Sequence, residues 1–160
     1  MFTTKNDQPE SVRARVIEML NLCLADAITL QTQAKQAHWN IKGPHFVGLH
    51  KLFDEISEAT LEHIDLIAER IVQLGGIAEG TARLAAQRAR LKPFPIDIST
   101  GEEHCEALSL ALATFGRAIR QGIDDASKTG DQDTADIYTE ISRDNDKWIW
   151  LVEAHLQAVG

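Results

Sequence analysis

The sequence predicts an all-α fold: a four-helix bundle whose middle connection is a long crossover. Three observations lead there. Four long segments repeat apolar residues at intervals of three and four, and no segment alternates as a strand would. The second and third of these segments are separated by residues 77–100, which carry Pro93 and Pro95. A connection of that length can return the chain to the other end of the bundle, where a short turn would not.

The first helix is expected from about Glu10 to His38, with Val16, Leu20, Cys23, Ala27, Leu30 and Ala34 on one stripe. Asn40-Ile41-Lys42-Gly43-Pro44 ends it, because glycine and proline set turns. The second helix is expected from about His45 to Leu74. Its seam is Leu49, Phe53, Ile56, Thr60, Ile64, Ile67, Ile71 and Leu74, and Gly75-Gly76 closes it. The crossover contains a short helical piece near Thr81 to Ala89. Ser99-Thr100-Gly101-Glu102-Glu103 is a capping-type start for the next long helix, whose seam runs from Cys105 through Leu108, Leu112, Phe115 and Ile119 to Ile123. After the turn Thr129-Gly130-Asp131, the last helix carries Ile137, Ile141, Trp148, Leu151, Val152 and Leu156. Four such helices with one crossover describe a ferritin-like bundle. Residues 1–160 are expected to form one domain, with a short N-terminal tail over about 1–9.

Composition narrows the function. The net charge is -8, so attraction of the whole molecule to a nucleic acid or an anionic membrane is not expected, whereas cations would be drawn to it. The two cysteines, Cys23 and Cys105, belong to no CxxC or Cys/His cluster, which suits buried thiols in a reducing compartment. The polar start from Met1 to Gln8 lacks the apolar run of a signal peptide, and no stretch approaches the ~18 apolar residues that span a bilayer. A cytoplasmic protein is expected.

The second helix carries the chemistry. With His50 at zero on a helical wheel, Asp54 falls at about 40°, Asp65 at about 60° and Glu69 at about 100°. The apolar seam centres about 130° away from this flank, so the four ligand-type side chains do not point into the chain's own core. The flank also holds Val47, Leu61, Ala68 and Val72, which a freely solvated stripe would not favour. A second apolar face on one helix means burial against something else, for which a subunit interface is the natural candidate. His50 and Glu69 lie roughly 28 Å apart along the axis, and Asp54 and Asp65 roughly 16 Å apart, too far for one metal centre. Both pairs share a midpoint between Ala59 and Thr60. Two copies crossing antiparallel on a two-fold axis there would bring His50 to the other copy's Glu69, and Asp54 to its Asp65. Small residues at the crossing, Ser57, Ala59 and Thr60, allow close approach. Imidazole and carboxylate without sulfur suit Fe(II), Mn(II) or Zn(II), and oxidation chemistry selects iron.

The segment His38-Trp39-Asn40-Ile41-Lys42-Gly43-Pro44, followed by His50 and Asp54, resembles the Dps family of mini-ferritins. The similarity continues through His63-Ile64-Asp65 and Ala68-Glu69-Arg70-Ile71-Val72-Gln73-Leu74-Gly75-Gly76, and resumes at Ser142-Arg143-Asp144-Asn145-Asp146-Lys147-Trp148-Ile149-Trp150. The resemblance implies a hollow spherical dodecamer. It implies a ferroxidase centre made of His38, His50 and Asp54 from one subunit and Asp65 and Glu69 from its two-fold partner. Fe(II) would be oxidised there, with hydrogen peroxide the favoured oxidant, and stored as a ferric core, protecting DNA from radical damage. Zinc could occupy the same ligands, and the filling of a second metal position is left open. Ferritins that hold iron inside each bundle use Glu-x-x-His, which this chain lacks.

Other residues carry weaker expectations. His45 is read as a loop or helix-start residue and His63 as a partly buried helix residue. Trp39 suits interface packing, and Trp148 and Trp150 suit core or interface anchoring. Asp136, Glu140 and Asp144 share one helical stripe and Asp146 matches the family's late-helix acid, so these four are the candidates for lining a cation channel. The alternative function is physical shielding of DNA, by which the protein would be nucleoid-associated. It lacks support: the first ten residues hold one lysine, Lys5, and Arg83, Arg88, Arg90 and Lys92 form the only basic cluster.

Overall fold

In a computed structural model, which describes residues 1–157, the chain folds as five helices. They are α1 (Glu10–Asn40), α2 (Phe46–Gln73), α3 (Ala82–Arg88), α4 (Gly101–Thr129) and α5 (Gln132–Glu153). No strand forms among the described residues, and an isolated bridge joins Lys42 to Thr100. α1 packs along α2, and α4 along α5; α1 also meets α4, and the short α3 lies on α1. No helix here is long and apolar enough to cross a membrane.

Each helix end has a local cause. Asn40 donates its side-chain amide to the Gln36 carbonyl at 2.8 Å, which carries α1 two residues beyond the expected end at His38. Gly43 then turns the chain with a φ of 108°. Gly75 (φ 86°) ends α2 in a Schellman motif, its N–H on Val72 and that of Gly76 on the Ile71 carbonyl, both at 2.9 Å. Any side chain at Gly75 would also meet the Phe2 carbonyl, 2.7 Å from the Cβ position. α4 opens with the expected capping box, in which the Thr100 hydroxyl and the Glu103 carboxylate satisfy each other's backbone N–H groups.

The core forms where the apolar stripes meet. Val16, Leu20, Leu30, Phe53, Ile67, Ile71, Phe115, Ile119 and Ile141 are fully enclosed, and each such side chain contributes about 1.5–3 kcal/mol. Ile64, Ile123, Ile137, Leu151 and Leu156 lie at its margin and are half-buried. Cys23 and Cys105 are buried free thiols, and burial pushes Cys105 up to about 11. The N-terminal segment lies back along the bundle: Phe2 N–H donates to Gly75 O at 2.7 Å, and Arg13 clamps Leu74 O and Gln8 O.

Candidate metal centre

The turn between α1 and α2 brings His38 and His50 face to face. Their rings stack with centroids 3.7 Å apart and an interplanar angle of 21°. His38 Nδ1 donates to the His50 carbonyl at 2.6 Å, and His50 Nδ1 donates to the His38 carbonyl at 2.8 Å. A carbonyl only accepts, so each Nδ1 carries a proton, and the lone pair of each neutral ring sits on Nε2. Metal-binding histidines are commonly held this way, with the second nitrogen fixing ring and tautomer. The Phe46 ring covers His50 at 4.9 Å. The turn itself is held by Phe46 N–H on Gly43 O and Lys42 N–H on Ser99 O, which ties it to the start of α4.

Asp54 follows His50 by one turn of α2 and forms an ion pair with Lys35 of α1. The Lys35 hydrogen bond holds its carboxyl below the usual range, and the nearby His38 and His50 act in the same direction. Sequence reasoning missed Lys35. The available signal was its position three residues before His38, on the same stripe of α1. One turn earlier in α1, Gln31 donates to Ser57 Oγ at 2.9 Å, a second polar tie between the helices.

His38, His50 and Asp54 are thus neighbours, whereas Asp65 and Glu69 lie further along α2, exposed and with no ion-pair partner among the described residues. No three histidine, cysteine or carboxylate side chains of the described residues converge closely enough to hold a metal within one chain. Beside these candidate residues the flank is apolar and open: Val47 is 62% exposed, Leu61 52% and Val72 59%. Trp39 also points outward.

The remaining expected residues fall into place unevenly. His45 occupies the N-cap position of α2, makes no side-chain capping hydrogen bond and is exposed. His63 is more deeply buried than expected. Its Nε2 lies 3.1 Å from Asp144, and burial depresses its pKa against the opposing pull of that carboxylate. Asp144 also accepts from Trp148 Nε1 at 2.9 Å and lies 3.1 Å from Lys147 Nζ, so it is fully engaged within its own chain. Asp146 pairs with Arg120 at 2.9 Å. Asp136 and Glu140 have no ion-pair partner among the described residues, and Asp136 borders an open hollow with Ile123, Gln132 and Thr139. Trp148 is buried and Trp150 exposed. In the basic cluster, Arg88 pairs with Glu18 and Glu79, and Arg90 with the buried Asp26, so these cations brace the crossover.

Comparison with known proteins agrees with this architecture. The model of the ferritin-like domain family matches residues 17–159. The DNA protection during starvation protein of Agrobacterium fabrum is 45% identical over 154 residues, covering 96% of this chain and 95% of that protein. Among solved structures, Dps from Mycobacterium smegmatis superposes with a TM-score of 0.93 at 26% identity, covering 99% of this chain and 96% of the other. The Dps protein of Vibrio cholerae, described as one of the ferritin-like diiron-carboxylate proteins, superposes with a TM-score of 0.91 at 25% identity, covering 98% of each chain.

Proposed function

The chain belongs to the Dps family of ferritin-like proteins, and on that premise we propose that it oxidises Fe(II) at sites shared between two-fold-related subunits and stores the ferric product inside a hollow dodecameric shell. One observation carries the reading: two stacked imidazoles with both Nε2 atoms free stand beside Asp54, on an open apolar flank that also bears Asp65 and Glu69. An antiparallel two-fold crossing between Ala59 and Thr60 joins the halves. His38, His50 and Asp54 of one copy would then face Asp65 and Glu69 of the other, and the contact would bury Val47, Leu61 and Val72.

Iron is the substrate here. The neutral imidazoles place it without adding charge, and the three carboxylates offset its positive charge, increasingly so as Fe(II) becomes Fe(III). With hydrogen peroxide as oxidant, two Fe(II) each give up one electron, the O–O bond breaks, and both oxygens leave as hydroxide or water. Consuming Fe(II) and peroxide together removes the reagents of hydroxyl-radical formation, which is how the protein would protect DNA. Zn(II) has the same ligand preferences and would act as a competitor. Asp136 and Glu140 are the acids free to line an entry channel, since Asp144 and Asp146 are held by neighbours. The protein acts as one ferritin-like domain in the cytoplasm.

Mixed shells test the shared site. Asp54→Ala and Glu69→Ala should each slow Fe(II) oxidation while leaving assembly intact. A shell containing both variants should recover activity, because each mixed dimer has one site with neither change. No recovery in verified mixed shells would sink the intersubunit pairing.

A further inference from the structure

His104 lies in the first turn of α4 and is 1% exposed, yet neither ring nitrogen has a hydrogen-bond partner. A buried polar group without a partner is costly, and few are left so in folded proteins. Its neighbours explain the neglect. The ring stacks on Phe94 of the crossover, with centroids 6.0 Å apart, and meets Phe53 of α2 at 6.4 Å. α1 contributes the Asn40 carbonyl, which favours a charged ring without meeting hydrogen-bond geometry. From α4 comes Glu103, whose carboxylate is already taken by the Ser99 N–H, the Thr100 N–H and the Thr100 hydroxyl. Among the described residues, no carboxylate of α1, α2 or the crossover reaches the ring.

We propose that His104 is a proton-operated latch: neutral, it pins the crossover and the start of α4 to α2, and charged, it releases them. A charged imidazole in that slot would lie against two aromatic rings, with the Asn40 carbonyl outside hydrogen-bond geometry and no carboxylate bonded to it, so protonation and burial oppose each other. Release would reach the metal centre through one connection, because the turn carrying His38 and His50 is tied to Ser99 by Lys42. The latch stands whether or not that centre oxidises iron.

The sign follows from linkage. Burial holds the folded ring's pKa below its ordinary value. Below about pH 6.5 the released form takes up a proton that the latched form does not, so release becomes easier as pH falls. Hydrogen exchange on the assembled protein at several pH values, corrected for intrinsic rates, reads this directly. Amides of residues 92–104 should open progressively more as pH falls below about 6.5, by at most about tenfold per pH unit, the limit set by one coupled proton. His104→Phe keeps a flat ring and removes both nitrogens, and should abolish that slope. His104→Leu is the companion should Phe not fit. In the unaltered protein, NMR of labelled histidine should find His104 still neutral at a pH where a solvent-exposed histidine is half charged. An unchanged exchange slope in whichever variant folds, or a His104 that titrates at an ordinary value, would overturn the latch.

Discussion

Lys35 and Asp54 close the gap between α1 and α2 directly beside the stacked imidazoles of His38 and His50. If Asp54 serves as a metal ligand, as proposed above, the lysine ammonium and the metal would compete for one carboxylate. Both side chains are about a third exposed, so the ion pair is weak, within about 1 kcal/mol. Lys35→Gln should tighten Co(II) binding by about fivefold at most, measured by calorimetry without oxidant. The effect should be present at neutral pH. It should fade as pH falls through the lowered Asp54 value, where the carboxylate is protonated and has nothing to share. Unchanged or weaker binding would show that Lys35 does not compete.

Arg70 makes the opposite kind of pair. Its guanidinium donates to Asp131 at 2.8 Å and to Thr134 Oγ1 at 3.0 Å, and both charges are buried. Burial would raise the Asp131 pKa, but the Thr134 hydroxyl and amide, then Gln8 and Arg70, outweigh it and bring it below the usual range. Arg70→Met would leave that carboxylate enclosed without a cation, at a cost of about 3–5 kcal/mol. Thermal melting at pH 7 should fall by on the order of ten degrees. The double variant Arg70→Met, Asp131→Asn should regain part of the loss. The stabilisation is present above about pH 4 and goes as pH falls through the lowered Asp131 value.

The helices were legible because periodic apolar residues and local caps determine them. Gly75, Gly130 and the Thr100–Glu103 box act within a few residues, so the sequence shows them directly. The flank of α2 was legible for the same reason: the angle between His50, Asp54 and the apolar seam is a property of one helix. Partners that arise only when helices pack were not. Lys35 is an ordinary helix lysine until α1 meets α2, and Asp144 is one acid among many until His63, Lys147 and Trp148 surround it. The N-terminal segment likewise has no strong local pattern. Its place is set by a distant contact, Phe2 with Gly75.

That contact bears on nucleic acid. A mobile basic tail would gain affinity by releasing counterions, but here the segment is tied back and carries a single lysine. The cations that could substitute, Arg88 and Arg90, are paired. Gel shifts at neutral pH and physiological salt should show no tight complex. A salt-sensitive complex that survives Phe2→Ala but not reversal of Arg83 and Lys92 would place a DNA footprint on the crossover.

Assembly gives the strictest test of where the metal centre lies. Leu61 sits just past the midpoint of α2, half exposed on the flank that carries His50, Asp54, Asp65 and Glu69. If two copies cross there, Leu61 lies close to the axis, and Leu61→Glu sets a carboxylate near its own symmetry mate in an apolar contact. Desolvation and like-charge repulsion then act together, and an unpaired buried charge costs on the order of several kcal/mol. The chain's own core is untouched, because the leucine side chain does not enter it. Circular dichroism should therefore report unchanged helix content, while light scattering shows loss of the large particle. Fast Fe(II) oxidation should vanish with it, since His38, His50 and Asp54 would lack Asp65 and Glu69 of a second copy. A fully assembled and active Leu61→Glu shell would mean that this flank faces solvent, and the shared metal centre would have to be abandoned.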